Sequence, residues 1–212
     1  MIKKFIFTGC ALACSHYAVA GSSLPYPEEG YYSASVMSNV TWEAAVNYNI
    51  GITNICKYKQ SPSINTLGLD VTGLYNLKEN HYITCRLSYA HGNDSDFVLN
   101  QWAIMPGYRY EYRINEQCTA FAGAFLGLGY SSLDYAGIDE QKRRGLNRKD
   151  EMLNVQYSLE AGARYTVAPD IELLGAITFN GGTSPILGIS YDEGGSEEQA
   201  SVGARIGVGF KF

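Results

Sequence analysis

The run Val40-Thr41-Trp42-Glu43-Ala44-Ala45-Val46-Asn47-Tyr48-Asn49-Ile50-Gly51-Ile52 decides how the rest of the chain is read. Its even positions are Val, Trp, Ala, Val, Tyr, Ile and Ile; its odd positions are Thr, Glu, Ala, Asn, Asn and Gly. Successive side chains of a strand point to opposite faces, so a period of two places every apolar residue on one side. The stretch predicts a strand with one apolar face and one polar face.

The same alternation recurs along the chain. Leu67, Leu69, Val71, Gly73, Tyr75 and Leu77 form the apolar face of a second strand, and Ile83, Cys85, Leu87 and Tyr89 that of a third. Val98, Trp102, Ile104, Tyr108, Tyr110 and Tyr112 mark a fourth, interrupted by Asn100 and Pro106. A fifth, Cys118 to Tyr130, is apolar or Gly on both faces. Leu153 to Val167 alternates without a break, Ile171, Leu173, Ile177 and Phe179 mark a seventh strand, and Val202 to Phe212 an eighth.

Charged residues make up 17% of the chain, yet none stands on these apolar faces. The opposite faces carry Glu43, Asp70, Arg86, Arg109, Glu111, Glu160, Arg164, Glu172, Arg205 and Lys211. A charge facing acyl chains costs about 2–4 kcal/mol at the bilayer midplane, which explains strict exclusion. A soluble sandwich also keeps charge out of its core, so exclusion alone leaves both readings open. Three further features favour a membrane. The strands run about ten to fifteen residues, whereas globular strands average about 5–6 and a tilted membrane strand needs about 9–11. Between its charges the polar face holds mostly Gly, Ala, Ser, Thr and Asn, which suits a narrow lumen. Long connections (53–66, 92–97, 131–152 and 181–199) alternate with tight turns at Lys78-Glu79-Asn80, Asn115-Glu116-Gln117 and Ala168-Pro169-Asp170. Long loops on one side and short turns on the other are the outer-membrane pattern.

Composition agrees. Charge is below the roughly 25% usual for soluble domains, while Gly reaches 23 residues and Tyr 17. The net charge of −5 lacks the basic footprint that nucleic acid requires, so no nucleic-acid partner is expected. No uncharged apolar run reaches the ~18 residues of a spanning helix. Met1-Ile2-Lys3-Lys4, the apolar Phe5–Ala13 and Ala18-Val19-Ala20 have the three-part form of a secretory signal. Residues 1–20 are therefore expected to be a signal peptide cleaved near Ala20. Residues 21–39 then form an N-terminal periplasmic segment, and residues 40–212 an all-β, eight-stranded, antiparallel up-and-down transmembrane β-barrel. Three cysteines remain after cleavage, Cys56, Cys85 and Cys118, an odd number with no zinc spacing. Neither a metal nor another cofactor is expected.

An eight-stranded interior is about filled by side chains. Glu43, Asp70, Arg86, Arg109, Glu111, Glu160, Arg164 and Arg205 are expected to meet there as an ion-pair network, because buried charges are tolerable only when paired. Aromatic residues are expected to form belts where the barrel meets the two interfaces. Trp42, Tyr75, Tyr110, Tyr112, Tyr165, Phe210 and Phe212 fall near the periplasmic ends, and Tyr48, Tyr89, Tyr130, Tyr157 and Phe179 near the outer ends. In the loop 131–152, Arg143, Arg144, Arg148 and Lys149 are candidates for contacting lipopolysaccharide phosphates or a host surface ligand.

The Gly-aromatic strand Phe121-Ala-Gly-Ala-Phe-Leu-Gly-Leu-Gly-Tyr130 and the closing strand Val202-Gly-Ala-Arg-Ile-Gly-Val-Gly-Phe-Lys-Phe212 follow the signal segment. With these features the chain resembles the small outer-membrane β-barrel proteins of the OmpA/OmpX and opacity type, from about Val40 to Phe212. The resemblance implies the outer membrane of a Gram-negative-type bacterium, lipid and lipopolysaccharide contact, and reading of the terminal Phe212 by the barrel-assembly machinery. It implies a structural or surface-interaction role, such as membrane integrity or adhesion, and no enzymatic activity. A narrow passive channel and a lipid A-modifying enzyme are the alternatives. For the enzyme, His91 stands at the outer rim with Asp94, Ser95 and Asp96 nearby, but position 93 is Asn where a His-x-Ser arrangement has Ser. Thr183–Tyr191 leaves open a further hairpin and ten strands.

Overall fold

A computed structural model of the chain describes residues 40–55, 63–93, 97–135, 149–184 and 197–211. The signal segment and residues 21–39 lie outside the described residues. Eight strands follow in order: β1 (Val40–Ile55), β2 (Ser63–Lys78), β3 (His81–Asn93), β4 (Phe97–Arg113), β5 (Cys118–Tyr135), β6 (Lys149–Ala168), β7 (Ile171–Ser184) and β8 (Glu197–Lys211). Each pairs with the next, and β8 closes antiparallel on β1. All eight strands read from the alternation are present, and the soluble sandwich is excluded because a single sheet closes on itself.

The stagger of the ring follows from its register. From Thr41 the pairing runs to Leu74, Thr84, Gly107, Phe125, Ser158, Asn180 and Ser201, and returns to β1 at Gly51, ten positions further on. Ten residues of stagger over eight strands set a tilt of about 40°, at ~3.3 Å per residue and ~4.8 Å between strands. At that tilt about ten residues span the ~25 Å apolar band of an outer-membrane barrel.

The strands are longer than the side-chain alternation, from 13 residues in β3 to 20 in β6. The stretches 53–66, 92–97, 131–152 and 181–199, read above as connections, are therefore partly strand. β5 continues to Tyr135, β6 starts at Lys149 and β8 starts at Glu197. Ladder hydrogen bonds need no apolar face, so pairing continues after the alternation has faded. Of the stretch 183–191, only Thr183 and Ser184 are described, as the end of β7, and the further hairpin lies outside the described residues.

The two faces are inverted relative to a soluble barrel. Arg205 is fully buried, while its chain neighbour Ile206 is 72% exposed. Val46, Leu69, Leu128, Leu159 and Ile177 also project outward, and Glu43, Arg86, Arg109 and Glu160 are enclosed. Both irregularities of β4 have local causes. Asn100 Oδ1 accepts from the Tyr89 hydroxyl at 3.0 Å, so its outward amide has a partner. Pro106 lacks an N–H, and the β4–β5 pairing passes from Ile104–Leu128 to Gly107–Phe125 around it.

The short turns are hydrogen-bonded to neighbouring strands. Glu79 has φ of 49°, and Asn76 Nδ2 donates to its carbonyl at 2.9 Å. Asn115 Oδ1 accepts from the backbone N–H groups of Gln117 and Cys118 at 2.9 and 2.8 Å, which holds the β4–β5 turn.

Candidate functional site

The inward charges of seven strands converge on one network in the lumen. Arg109 on β4 reaches Glu43 on β1 with both terminal nitrogens, at 2.5 and 3.0 Å, and Glu160 on β6 at 2.6 Å. Arg205 on β8 shares Glu43 Oε2 with Arg109, at 3.1 Å, and meets Asp70 on β2 at 3.2 Å. Arg86 on β3 pairs with Glu160, and Arg164 on β6 pairs with Glu111 on β4. Apart from Arg205–Glu43, which links the adjacent β8 and β1, these bonds join strands that are not neighbours in the sheet, so the network crosses the lumen. Taking each ion out of water costs several kcal/mol, and the bidentate and shared contacts offset that cost.

The network is wider than the eight residues singled out above. Glu172 on β7 pairs with Arg164 at 3.1 Å and with Lys211 on β8 at 2.5 Å. With these two, five acids (Glu43, Asp70, Glu111, Glu160, Glu172) balance five bases (Arg86, Arg109, Arg164, Arg205, Lys211). β5 brings no charge to it but places Phe121 and Phe125 under guanidinium groups. Arg86 lies 3.8 Å from the Phe125 centroid and Arg109 4.4 Å from that of Phe121. Alternation alone leaves the direction of β5 ambiguous, since both faces are apolar. The signal lies in bulk, because Phe121 and Phe125 fall on one face and Leu126, Leu128 and Tyr130 on the other. Thr72 adds a neutral partner, accepting from Arg205 at 3.0 Å and from Arg86 at 3.3 Å.

The aromatic candidates Trp42, Tyr48, Tyr110, Tyr112, Tyr157, Tyr165, Phe179 and Phe210 project outward and are exposed, while Tyr75, Tyr89 and Tyr130 are half-buried. Phe212 lies outside the described residues. Among the described residues, Trp102 and Tyr108 are further outward aromatics. Trp102 packs on Tyr89 with ring centroids 4.5 Å apart, and Tyr108 bonds through its hydroxyl to His81 Nδ1. His81 also lies edge-on to Tyr110 at 5.2 Å, which makes it a member of the lower aromatic rim. Of the basic loop candidates, Arg143, Arg144 and Arg148 lie outside the described residues, and of Lys149 only its place at the start of β6 is described. His91 projects outward, and its Nδ1 stands 2.9 Å from Asn100 Oδ1, a carboxamide oxygen that is no nucleophile. Asp94, Ser95 and Asp96 lie outside the described residues.

Neither a family model nor a curated protein matches the chain. Solved structures do match. Neisserial surface protein A has a TM-score of 0.51 and 14% identity, covering 82% of this chain and 98% of that one. The chain has the eight-stranded fold of the small outer-membrane barrels. OprG from Pseudomonas aeruginosa (TM-score 0.44, 14% identity, 82% and 94% coverage) and the Ail protein of Yersinia pestis (0.44, 14%, 81% and 99%) also match. At such identity the likeness concerns the barrel.

Proposed function

We propose that this chain is an outer-membrane barrel with a closed lumen, serving in membrane integrity and in contact with the cell's surroundings through its outer loops. One observation carries the reading: an ionic network crosses the lumen while the outer wall is apolar. A wide aqueous pore needs an interior that water fills, whereas here Arg109 and Arg205 occupy the bore with their partners. The outward Trp and Tyr residues support seating at two interfaces. The alternating closing strand supports recognition by the assembly machinery. Arg143, Arg144, Arg148 and Lys149 supply charge for lipopolysaccharide phosphates or an anionic surface ligand. The His91–Asn100 contact supports a non-enzymatic rim.

The test is conductance in planar bilayers, paired with thermal unfolding. The intact chain is expected to pass no steady current. Arg205→Ala leaves Asp70 without its guanidinium and removes one of the bridges to Glu43; it is expected to admit small cation-favouring currents and to unfold at lower temperature. Steady currents from the intact chain favour the narrow-channel reading. An Arg205→Ala barrel unchanged in both measurements removes the sealing role of the network.

A further inference from the structure

Above the ion pairs the lumen changes character. It opens into a cavity of about 90 Å³ whose floor is formed by Asp70 and Arg86, both already committed to Arg205 and Glu160. The walls mix amides and hydroxyls with apolar side chains, Ile64 and Ala90 among them. Asn180 Nδ2 donates to Asn49 Oδ1 at 3.0 Å, and Asn49 Nδ2 donates to Asn47 Oδ1 at 3.1 Å. On the other side Gln156 Nε2 donates to Asn154 Oδ1 at 3.1 Å. Gln101 Nε2 on β4 donates to Gln199 Oε1 on β8 at 2.8 Å. β4 and β8 stand opposite each other in an eight-membered ring, so this neutral bond crosses the bore. Gln199 Nε2 is buried and has no hydrogen-bond partner among the described residues. Leu99 and Met105 add apolar patches to the lining.

We propose that this chamber binds a small uncharged polyhydroxylated solute. Size supports this. A polar cavity needs roughly 10–15 Å³ to hold one water, so this one accommodates several, about the bulk of a molecule with three or four hydroxyl groups. Donor and acceptor chemistry supports it further. A carboxamide presents both a donor and an acceptor, and an alcohol hydroxyl also does both, so each ligand oxygen satisfies two wall groups. Gln199 Nε2 offers a donor for one of them, and the carbon skeleton faces Leu99 and Met105. An ion fares worse, because it sheds its hydration shell and finds the floor charges already neutralised. The proposal rests on the barrel interior and is independent of any role of the outer loops.

The test uses the mature chain refolded in detergent micelles, with nuclear magnetic resonance following the side-chain amide signals. Glycerol and erythritol are the probes; acetate and ammonium are the charged controls. Saturable shifts at Gln101, Asn180 and Gln199 are expected with the polyols and not with the ions. Gln199→Leu is expected to weaken binding about fivefold or more, the worth of a lost hydrogen bond. Ala90 on β3 lines the chamber, so Ala90→Leu fills it without removing a bond and is expected to abolish binding. Heat-dependent gel mobility checks that both variants are folded. Shifts that rise linearly with polyol concentration, equal binding of acetate, or undiminished binding by a folded Ala90→Leu barrel would overturn the proposal, leaving a chamber that holds water alone.

Discussion

Glu43 is surrounded by three guanidinium groups: Arg109 at 2.5 Å, Arg205 at 3.1 Å and Arg164 at 3.8 Å. Glu43→Gln keeps the shape of the side chain and removes its charge, leaving buried cations undercompensated. We expect a loss of about 3–5 kcal/mol, read from urea unfolding in lipid vesicles. Adding Arg109→Met is expected to restore part of the loss, because the pair then departs together. An unchanged unfolding midpoint for Glu43→Gln contradicts the network's role. The alternation places Glu43, Asp70, Arg109 and Arg205 on one face, which made the membership of the network legible. The pairing was not legible. Whether Arg205 meets Asp70 or another acid depends on the ten-residue stagger, and that exists only once β8 has closed on β1. Glu172 and Lys211 carried the same signal as the others, and their partnership depends on the same closure.

At the scale of strands, close backbone approach decides which glycines are required. A Cβ on Gly127 would lie 2.0 Å from the Ile104 carbonyl oxygen and 2.6 Å from Met105 Cα, backbone atoms that cannot step aside. Gly127→Val is therefore expected to break the β4–β5 ladder and lose at least about 1–3 kcal/mol. At Gly175 nothing lies within 4 Å of the added atom, so Gly175→Ala is expected to fold normally. Gel mobility before and after boiling separates the two outcomes, and a normally folding Gly127→Val barrel contradicts the register. The faces of the strands were readable from period two, but their ends were not, because paired backbone outlasts the alternation. Cross-strand devices were hidden too. The Trp42 ring covers Gly73 and the Tyr157 ring covers Gly181, contacts that require a known register.

For the molecule as a whole, an apolar outer wall calls for hydrocarbon and not water as its solvent. Ile206 lies mid-strand, opposite Val46 and Gly175, and faces outward. Ile206→Arg is expected to destabilise the barrel in lipid by about 2–4 kcal/mol, measured by equilibrium unfolding from vesicles. An unaffected midpoint puts water at that position. Trp42 and Trp102 are the two tryptophans of the chain, and both project outward. They report on the wall directly when the barrel is refolded into vesicles whose acyl chains carry bromine. Strong quenching of their emission by the brominated chains, with weak quenching by aqueous iodide, is the expected result. Emission that iodide quenches and brominated chains leave untouched would contradict a wall that faces hydrocarbon.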